Sequence, residues 1–282
     1  MKVINTVREL QNEIGKMQLS PVGFVPTMGA LHNGHLSLVT AASAKCPLVV
    51  VSIYVNPTQF NDRNDLRNYP RTLDSDLMLL EKVLRSYDIV FAPDDKEIYP
   101  EEDKRKFNFG NLAMVMEARH RPGHFNGVGQ VVSRLFDIVK PDIAIFGQKD
   151  FQQLAVIKEL VRQTGSKVKI IGSPIIREND GLAMSSRNRL LEPDIRKNAS
   201  VIFRTISVAS SMLEGNDIPA IKEYVNEEIN KIPGFDVEYY DIADDTELVP
   251  VSAKSEMKTG TKYFGCIAVK AGNIRLIDNV EI

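Results

Sequence analysis

The stretch Val22-Gly23-Phe24-Val25-Pro26-Thr27-Met28-Gly29-Ala30-Leu31-His32-Asn33-Gly34-His35 decides how this chain is read. The apolar run at 22–25 predicts a buried strand, and residues 36–44 predict a helix. Between them lie a glycine-containing turn and two histidines. A helix start gathers unpaired backbone N–H groups and the positive end of the dipole, which suits a phosphate. Gly29 and Gly34 allow the backbone to approach a ligand closely. His32 and His35 are three apart and share a face if both lie on the first turn. The combination points to the phosphates of a nucleotide. Two blander readings stand beside it. The histidines could be satisfied surface or core residues, or metal ligands. The helical zinc pair, however, needs a spacing of four with a Glu beside the first His.

Outward from this stretch, apolar β-branched runs at 22–25, 48–55, 89–92, 143–146 and 168–171 alternate with helical patterns at 36–44, 73–86, 128–139 and 151–163. Such alternation predicts an α/β fold, a doubly wound parallel sheet covered on both faces. Ligands in these sheets sit beyond the carboxyl ends of the strands. The histidine motif, Asn56-Pro57-Thr58-Gln59-Phe60 and Phe146-Gly147-Gln148-Lys149-Asp150 all fall at that edge. After Ile176 the composition changes. A polar segment at 177–188 precedes helical patterns at 193–213 and 219–232, broken at 215–217. Strands follow at 236–241, 263–270 and 274–277, the last two joined by Ala271-Gly272-Asn273 as a hairpin turn. The expected organisation is residues 1–176 as the larger domain and 177–282 as a second, smaller C-terminal α+β domain.

The 282 residues are 43% hydrophobic and 26% charged, as in ordinary soluble globular proteins, and the net charge is -2. Nothing in that balance recruits nucleic acid or an anionic membrane. Cys46 and Cys266 form no Cys-x-x-Cys, which fits a reducing cytosol. Residues 1–10 carry no long apolar segment, and the run at 47–55 is too short to span a bilayer. A cytoplasmic setting is therefore expected.

Two more segments carry candidate chemistry. In Gly147-Gln148-Lys149-Asp150-Phe151-Gln152-Gln153, Gly147 ends a strand and Asp150 can cap the next helix. Lys149 then presents a cation at a helix start, and Gln153 lies one turn on. The alternative is a solvated lysine with two surface amides. In Asp180-Gly181-Leu182-Ala183-Met184-Ser185-Ser186-Arg187-Asn188-Arg189, hydroxyls beside an arginine form an oxyanion-binding loop. The alternative is a cap-and-turn cluster, which Ser and Asn favour in any case.

His32-Asn33-Gly34-His35 resembles the HIGH motif of the nucleotidyltransferase superfamily that includes class I aminoacyl-tRNA synthetases. Met184-Ser185-Ser186-Arg187 resembles their KMSKS loop, without its lysines. Along nearly its whole length the chain resembles the pantothenate synthetases, in PTMGALHNGH, VSIYVNPTQF, YPRTLDSD, FAPDDKEIYP, RPGHFNGV, FGQKDFQQL, DGLAMSSRN and RLIDN. Gln148 stands where that family has Glu. The resemblance implies a ligase that joins pantoate to β-alanine with ATP through a pantoyl adenylate, releasing AMP and pyrophosphate. It also implies a Rossmann-like N-terminal domain, a C-terminal lid domain and a homodimer. ATP is expected at Pro26, Met28, Gly29, Ala30, Leu31, His32, Asn33, Gly34 and His35, at Gly147, Gln148, Lys149 and Asp150, at Ile176, and at Met184, Ser185, Ser186 and Arg187. His35, as proton donor, with His32, Lys149 and Arg187 forms the expected catalytic set. Gln59 matches a residue shared by pantoate and β-alanine, and Gln153 a pantoate ligand. Arg121 and His124 match a loop near the site. Mg²⁺ is expected on the phosphates; Asp74 and Asp76 are possible outer ligands, and no protein ligand is assigned. Two alternatives remain: a nucleotidylyltransferase that leaves the nucleotide on its product, and a non-catalytic RNA-binding relative, which the mildly acidic balance disfavours.

Overall fold

Six strands follow from the predicted apolar runs and one short run at the N-terminus. A computed structural model describes residues 1–282. The strands are β1 (Lys2–Ile4), β2 (Val22–Thr27), β3 (Leu48–Ile53), β4 (Ile89–Phe91), β5 (Ile143–Gly147) and β6 (Lys169–Ser173). They form one sheet in the order β1-β4-β3-β2-β5-β6, with every pair parallel. The chain winds from β2 through β3 to β4, then returns to the other side of β2 as β5 and β6. The switch point lies between β2 and β5, where a doubly wound sheet opens its ligand crevice. Pairing of β2 with β5 covers only Gly23 and Phe24. It stops short of Pro26, which has no N–H to offer a second neighbour.

Helices connect these strands: α1 (Val7–Met17), α2 (Asn33–Ser43), α3 (Arg63–Asn68), α4 (Leu73–Leu80), α5 (Asp95–Ile98), α6 (Met116–His120), α7 (His124–Val139) and α8 (Phe151–Thr164). One apolar core joins Val25, Leu31, Val39, Val49, Val51, Val90 and Ile145 of the sheet and its flanks. The C-terminal part contains α9 (Pro193–Asn198), α10 (Val201–Met212), α11 (Ile218–Asn230) and an antiparallel sheet of β7 (Phe235–Asp244), β8 (Tyr263–Ala271) and β9 (Ile274–Glu281). Its own core gathers Ile202, Ile206, Ile221, Val225, Ile242, Ile267 and Val269.

The chain divides into two compact units. The first comprises 1–109, 121–148 and 156–174; the second comprises 110–120, 149–155 and 175–282. A single cut after 176 does not account for the two short segments that belong to the second unit. Their place there has a visible cause. Gln152 is buried, donates to the carbonyls of Leu112 (2.8 Å) and Val115 (2.9 Å), and accepts from the Glu117 amide (3.0 Å). Phe151 packs on Phe264, with ring centroids 4.4 Å apart. The helix expected at 73–86 ends at Leu80, followed by tighter turns in which Lys82 and Val83 donate three residues back. The helix expected at 193–213 is two, separated by Ala199 and Ser200.

Candidate active site

In the first unit, the loop after β2 is held by hydrogen bonds from its own amides. Gly29 (φ +79) and Ala30 (φ +50) are successive left-handed residues. The Gly29 amide donates to Thr27 Oγ1, and the amides of Ala30 (3.0 Å) and Leu31 (2.7 Å) donate to the Asp76 carboxylate. His32 is the N-cap of α2 in an extended conformation (φ -148, ψ 176). Its Nδ1 accepts from the Gly34 amide at 3.1 Å, while His35 Nδ1 accepts from the His32 amide at 3.3 Å. The rings lie 4.1 Å apart, centroid to centroid. The amides of His35 and Leu36 both donate to the His32 carbonyl.

The amides of Gly34, His35 and Leu36, expected to face a phosphate, are therefore engaged within the protein. Each imidazole uses its Nδ1 as the acceptor. A ring nitrogen that accepts a hydrogen bond carries no proton, so each neutral ring holds its N–H on Nε2. Two capping bonds thus set both histidines in the same tautomer.

Gln59 follows β3 on the turn 57–59 and is 9% exposed. Its Oε1 accepts from Asn56 Nδ2 (3.1 Å), and its Nε2 donates to Met28 Sδ (3.1 Å). Asn56, itself buried, accepts from Tyr99 Oη at 3.0 Å and donates to the Gly127 carbonyl at 3.2 Å. A Cβ on Gly127 would stand 2.4 Å from Thr58 O and 2.8 Å from Gln59 N, so α7 packs directly on the Gln59 turn. His124 Nδ1 lies 2.8 Å from the Gln59 carbonyl, which can only accept, and His124 Nε2 lies 3.2 Å from Arg121 Nη1. That ring therefore has the opposite tautomer, with its proton on Nδ1. At the end of β5, a Cβ on Gly147 would meet open space, and the Gln148 amide donates to the Ser173 carbonyl at 2.8 Å.

In the second unit, the Lys149 side chain is only 19% exposed, so it is not a solvated surface lysine. Its Nζ lies 3.6 Å from Asp150 Oδ1, and its carbonyl accepts from Asn279 Nδ2 at 3.1 Å. The Asp150 carbonyl accepts from the Leu154 amide. Gln153 is half-buried on the first turn of α8. Residues 176–184 form a small hairpin, in which the Met184 amide donates to the Ile176 carbonyl and Arg177 bridges to Ala183. Ser185 caps the turn 186–190 by accepting from the Arg187 amide at 3.3 Å. Ser186 is buried. Asn188 clasps the turn to the hairpin, donating to Glu178 Oε1 (2.7 Å) and the Ala183 carbonyl (3.1 Å).

Arg177 anchors the base of the hairpin. It grips Asp278 with two bonds (2.6 and 3.0 Å) and lies 3.6 Å over the Phe203 ring. Burial pushes the Asp278 carboxyl up, against the pull of Arg177. Arg196 holds Asp180 below the usual carboxylate range.

The family model described as pantoate–β-alanine ligase matches residues 2–281. The pantothenate synthetase of Bacteroides thetaiotaomicron is 48% identical over 283 residues, covering 100% of this chain and 99% of its own. That of Azobacteroides pseudotrichonymphae is 50% identical, covering 99% of each. The Thermus thermophilus pantothenate synthetase structure superposes with a TM-score of 0.89 at 40% identity over 99% of both chains. This chain belongs to the pantoate–β-alanine ligase family. A Francisella tularensis pantoate–β-alanine ligase, solved in complex with "Beta-gamma ATP" and β-alanine, has a TM-score of 0.78 at 33% identity, covering 99% of this chain and 97% of that one.

As a pantoate–β-alanine ligase the chain is an enzyme of pantothenate biosynthesis, and its residue pattern can be sorted accordingly. Sequence reasoning named His32, His35, Gln59, Lys149, Gln153 and the Met184–Arg187 segment as candidates. It missed what holds them. Asn56, Tyr99 and Gly127 orient Gln59, Asp76 holds the loop before His32, and Asp278 and Asn279 tie down Arg177 and Lys149. Gly127, inside α7, was a visible signal of a close approach to the Gln59 turn.

Proposed function

We propose that this ligase condenses pantoate with β-alanine through a pantoyl adenylate, consuming ATP and releasing AMP and pyrophosphate. The pantoate carboxylate attacks the α-phosphorus and pyrophosphate leaves. The β-alanine amine then attacks the acyl carbon and AMP leaves. Adenylation is required because a free carboxylate, with its charge spread over two oxygens, is a poor electrophile.

The reciprocal capping of His32 and His35 carries this reading. It fixes two Nε2–H donors on the first turn of α2 beyond the carboxyl end of β2. Such preorganised donors act where charge develops on the departing pyrophosphate. Lys149 and Arg187 neutralise the same charge, and the Ser185 hydroxyl, which accepts from Arg187, retains its own proton to donate. The Gln59 amide faces pantoate and β-alanine. Its present acceptor, the Met28 thioether, is weak and readily exchanged for a substrate oxygen. Gln153 binds pantoate. Gly147 leaves the end of β5 open to the nucleotide.

No group of three or more His, Cys, Asp and Glu side chains gathers into a metal cage. Both Asp76 oxygens already accept hydrogen bonds. Asp76 is thus committed to the loop, and Mg²⁺ would be held chiefly by the ATP phosphates, whose charge it would neutralise. The family resemblance extends the proposal to a cytoplasmic homodimer; no helix is long and apolar enough to cross a membrane.

Exchange of labelled pyrophosphate into ATP tests the reading. It should require pantoate, proceed without β-alanine and fail with other small hydroxy acids. Exchange without any acid, or with the acid replaced freely, would contradict it. Free AMP in the complete reaction separates the ligase from a nucleotidylyltransferase.

A further inference from the structure

Consecutive backbone N–H groups that a turn aims at one spot make an anion-binding nest. The turn at Gly29 (φ +79) and Ala30 (φ +50) aims the Ala30 and Leu31 amides at one carboxylate, directly before the histidine pair, and so builds such a nest. The nest is already filled. Asp76 reaches in from α4 and is 1% exposed. Its Oδ2 accepts from the Ala30 amide (3.0 Å), and its Oδ1 accepts from the Leu31 amide (2.7 Å) and from Thr72 Oγ1 (3.3 Å). The fit leaves no slack: a Cβ on Gly29 would stand 3.0 Å from Asp76 Oδ2 and 3.1 Å from Ile53 Cγ2.

We propose that Asp76 is a positioning residue for adenylation, acting as the built-in anion of the Gly29–Ala30 nest rather than as an outer ligand of Mg²⁺. Ala30 is a non-glycine residue in the left-handed region, a conformation that costs free energy and persists only where its surroundings hold it. The carboxylate supplies that hold. One peptide unit beyond the Leu31 amide, His32 begins the cap that sets both imidazoles. Where Asp76 holds Leu31 therefore decides where the two Nε2–H donors stand. A filled nest also keeps the phosphates off the backbone amides and directs them to the imidazoles. The inference rests on the reading of His32 and His35 as phosphate donors.

Two measurements test it. Asp76→Asn keeps one acceptor oxygen but turns an NH₂ group toward an amide N–H. Displacements of about 1 Å can cost ~10²-fold in rate. The variant should lose about that factor in kcat for pantoate-dependent pyrophosphate exchange, with a smaller change in the KM for ATP. A folded Asp76→Asn protein with kcat within about threefold of the parent overturns the proposal. The unmodified protein gives a second test that needs no variant to fold. Without ATP, the Ala30 and Leu31 amides should already be protected from hydrogen exchange, and ATP with Mg²⁺ should add little. Rapid exchange that is suppressed only by ATP would show the nest to be the nucleotide's, and would overturn the proposal. His35→Ala keeps the two readings apart. If it retains the parental rate, the histidine reading fails. If it is slow while folded Asp76→Asn is not, only the role of Asp76 falls.

Discussion

His35 does two things that a single substitution confounds. Its Nδ1 accepts the His32 amide and so helps to close the cap of α2, while the opposite edge of the ring carries the proposed donor. His35→Ala removes both. It should slow adenylation by ~10²–10³-fold, the usual effect of deleting one preorganised donor, and lower stability by about 1 kcal/mol for the lost cap. His35→Asn separates the two roles, because the Asn side-chain oxygen can accept from the His32 amide but nothing replaces Nε2–H. It should recover most of the stability in urea unfolding and little of the pyrophosphate exchange. Equal recovery of both would show that His35 serves structure alone. The sequence made both histidines legible, through their spacing and their place between strand and helix. It did not show which ring nitrogen faces the backbone, because that depends on the extended conformation of His32 and on the Gly34 amide turning back to it.

At the scale of elements, the decisive contact is α7 against the turn 57–59. Gly127 brings the helix within van der Waals distance of backbone rather than of a flexible side chain, so the neighbour cannot yield by changing rotamer. Gly127→Ala should therefore cost about 1–3 kcal/mol through overpacking. It should also displace the Gln59 turn, raising the KM for pantoate more than that for ATP. A well-folded Gly127→Ala enzyme with unchanged pantoate KM would remove α7 from the account of substrate selectivity. The pattern of apolar residues announced α7 only from residue 128, because Pro122, Gly123 and Gly127 read as breakers. In the fold, Gly123 (φ +80) is the N-cap and Gly127 lies inside the helix. The strands were more legible. Their β-branched runs are buried on both faces of a parallel sheet, which gives an unbroken apolar signal that few other elements produce. β1 and α1 escaped notice because β1 is three residues long and α1 buries only Leu10.

At the scale of the whole molecule, the second unit draws short segments from earlier in the chain, and an ion cluster holds one of them. Arg275 of β9 donates to both oxygens of Glu117 (2.7 Å each) and to Glu238 (2.6 and 2.8 Å), while Tyr239 Oη donates to Glu117 at 2.8 Å. Burial opposes the charge of Arg275, but the two carboxylates raise its hold on the proton well above the usual arginine range. Arg275→Ala leaves the buried Glu117 and the half-buried Glu238 without the cation between them. It should destabilise the protein by ~3–5 kcal/mol, measured as a lower urea midpoint at unchanged slope. A loss below ~1 kcal/mol, the scale of a surface pair, would mean that water enters the cluster freely. No local pattern could reveal this clasp, since 158 residues separate Glu117 from Arg275. The same holds for Arg177 and Asp278, which are 101 apart.

The central claim is that the pantoate carboxylate itself attacks the α-phosphorus of ATP. Pantoate labelled with ¹⁸O in its carboxylate tests this in one turnover, with the products read by mass spectrometry. The account predicts that one labelled oxygen passes to AMP and none to pyrophosphate. Label in pyrophosphate or inorganic phosphate, or unlabelled AMP formed alongside the amide, would contradict it.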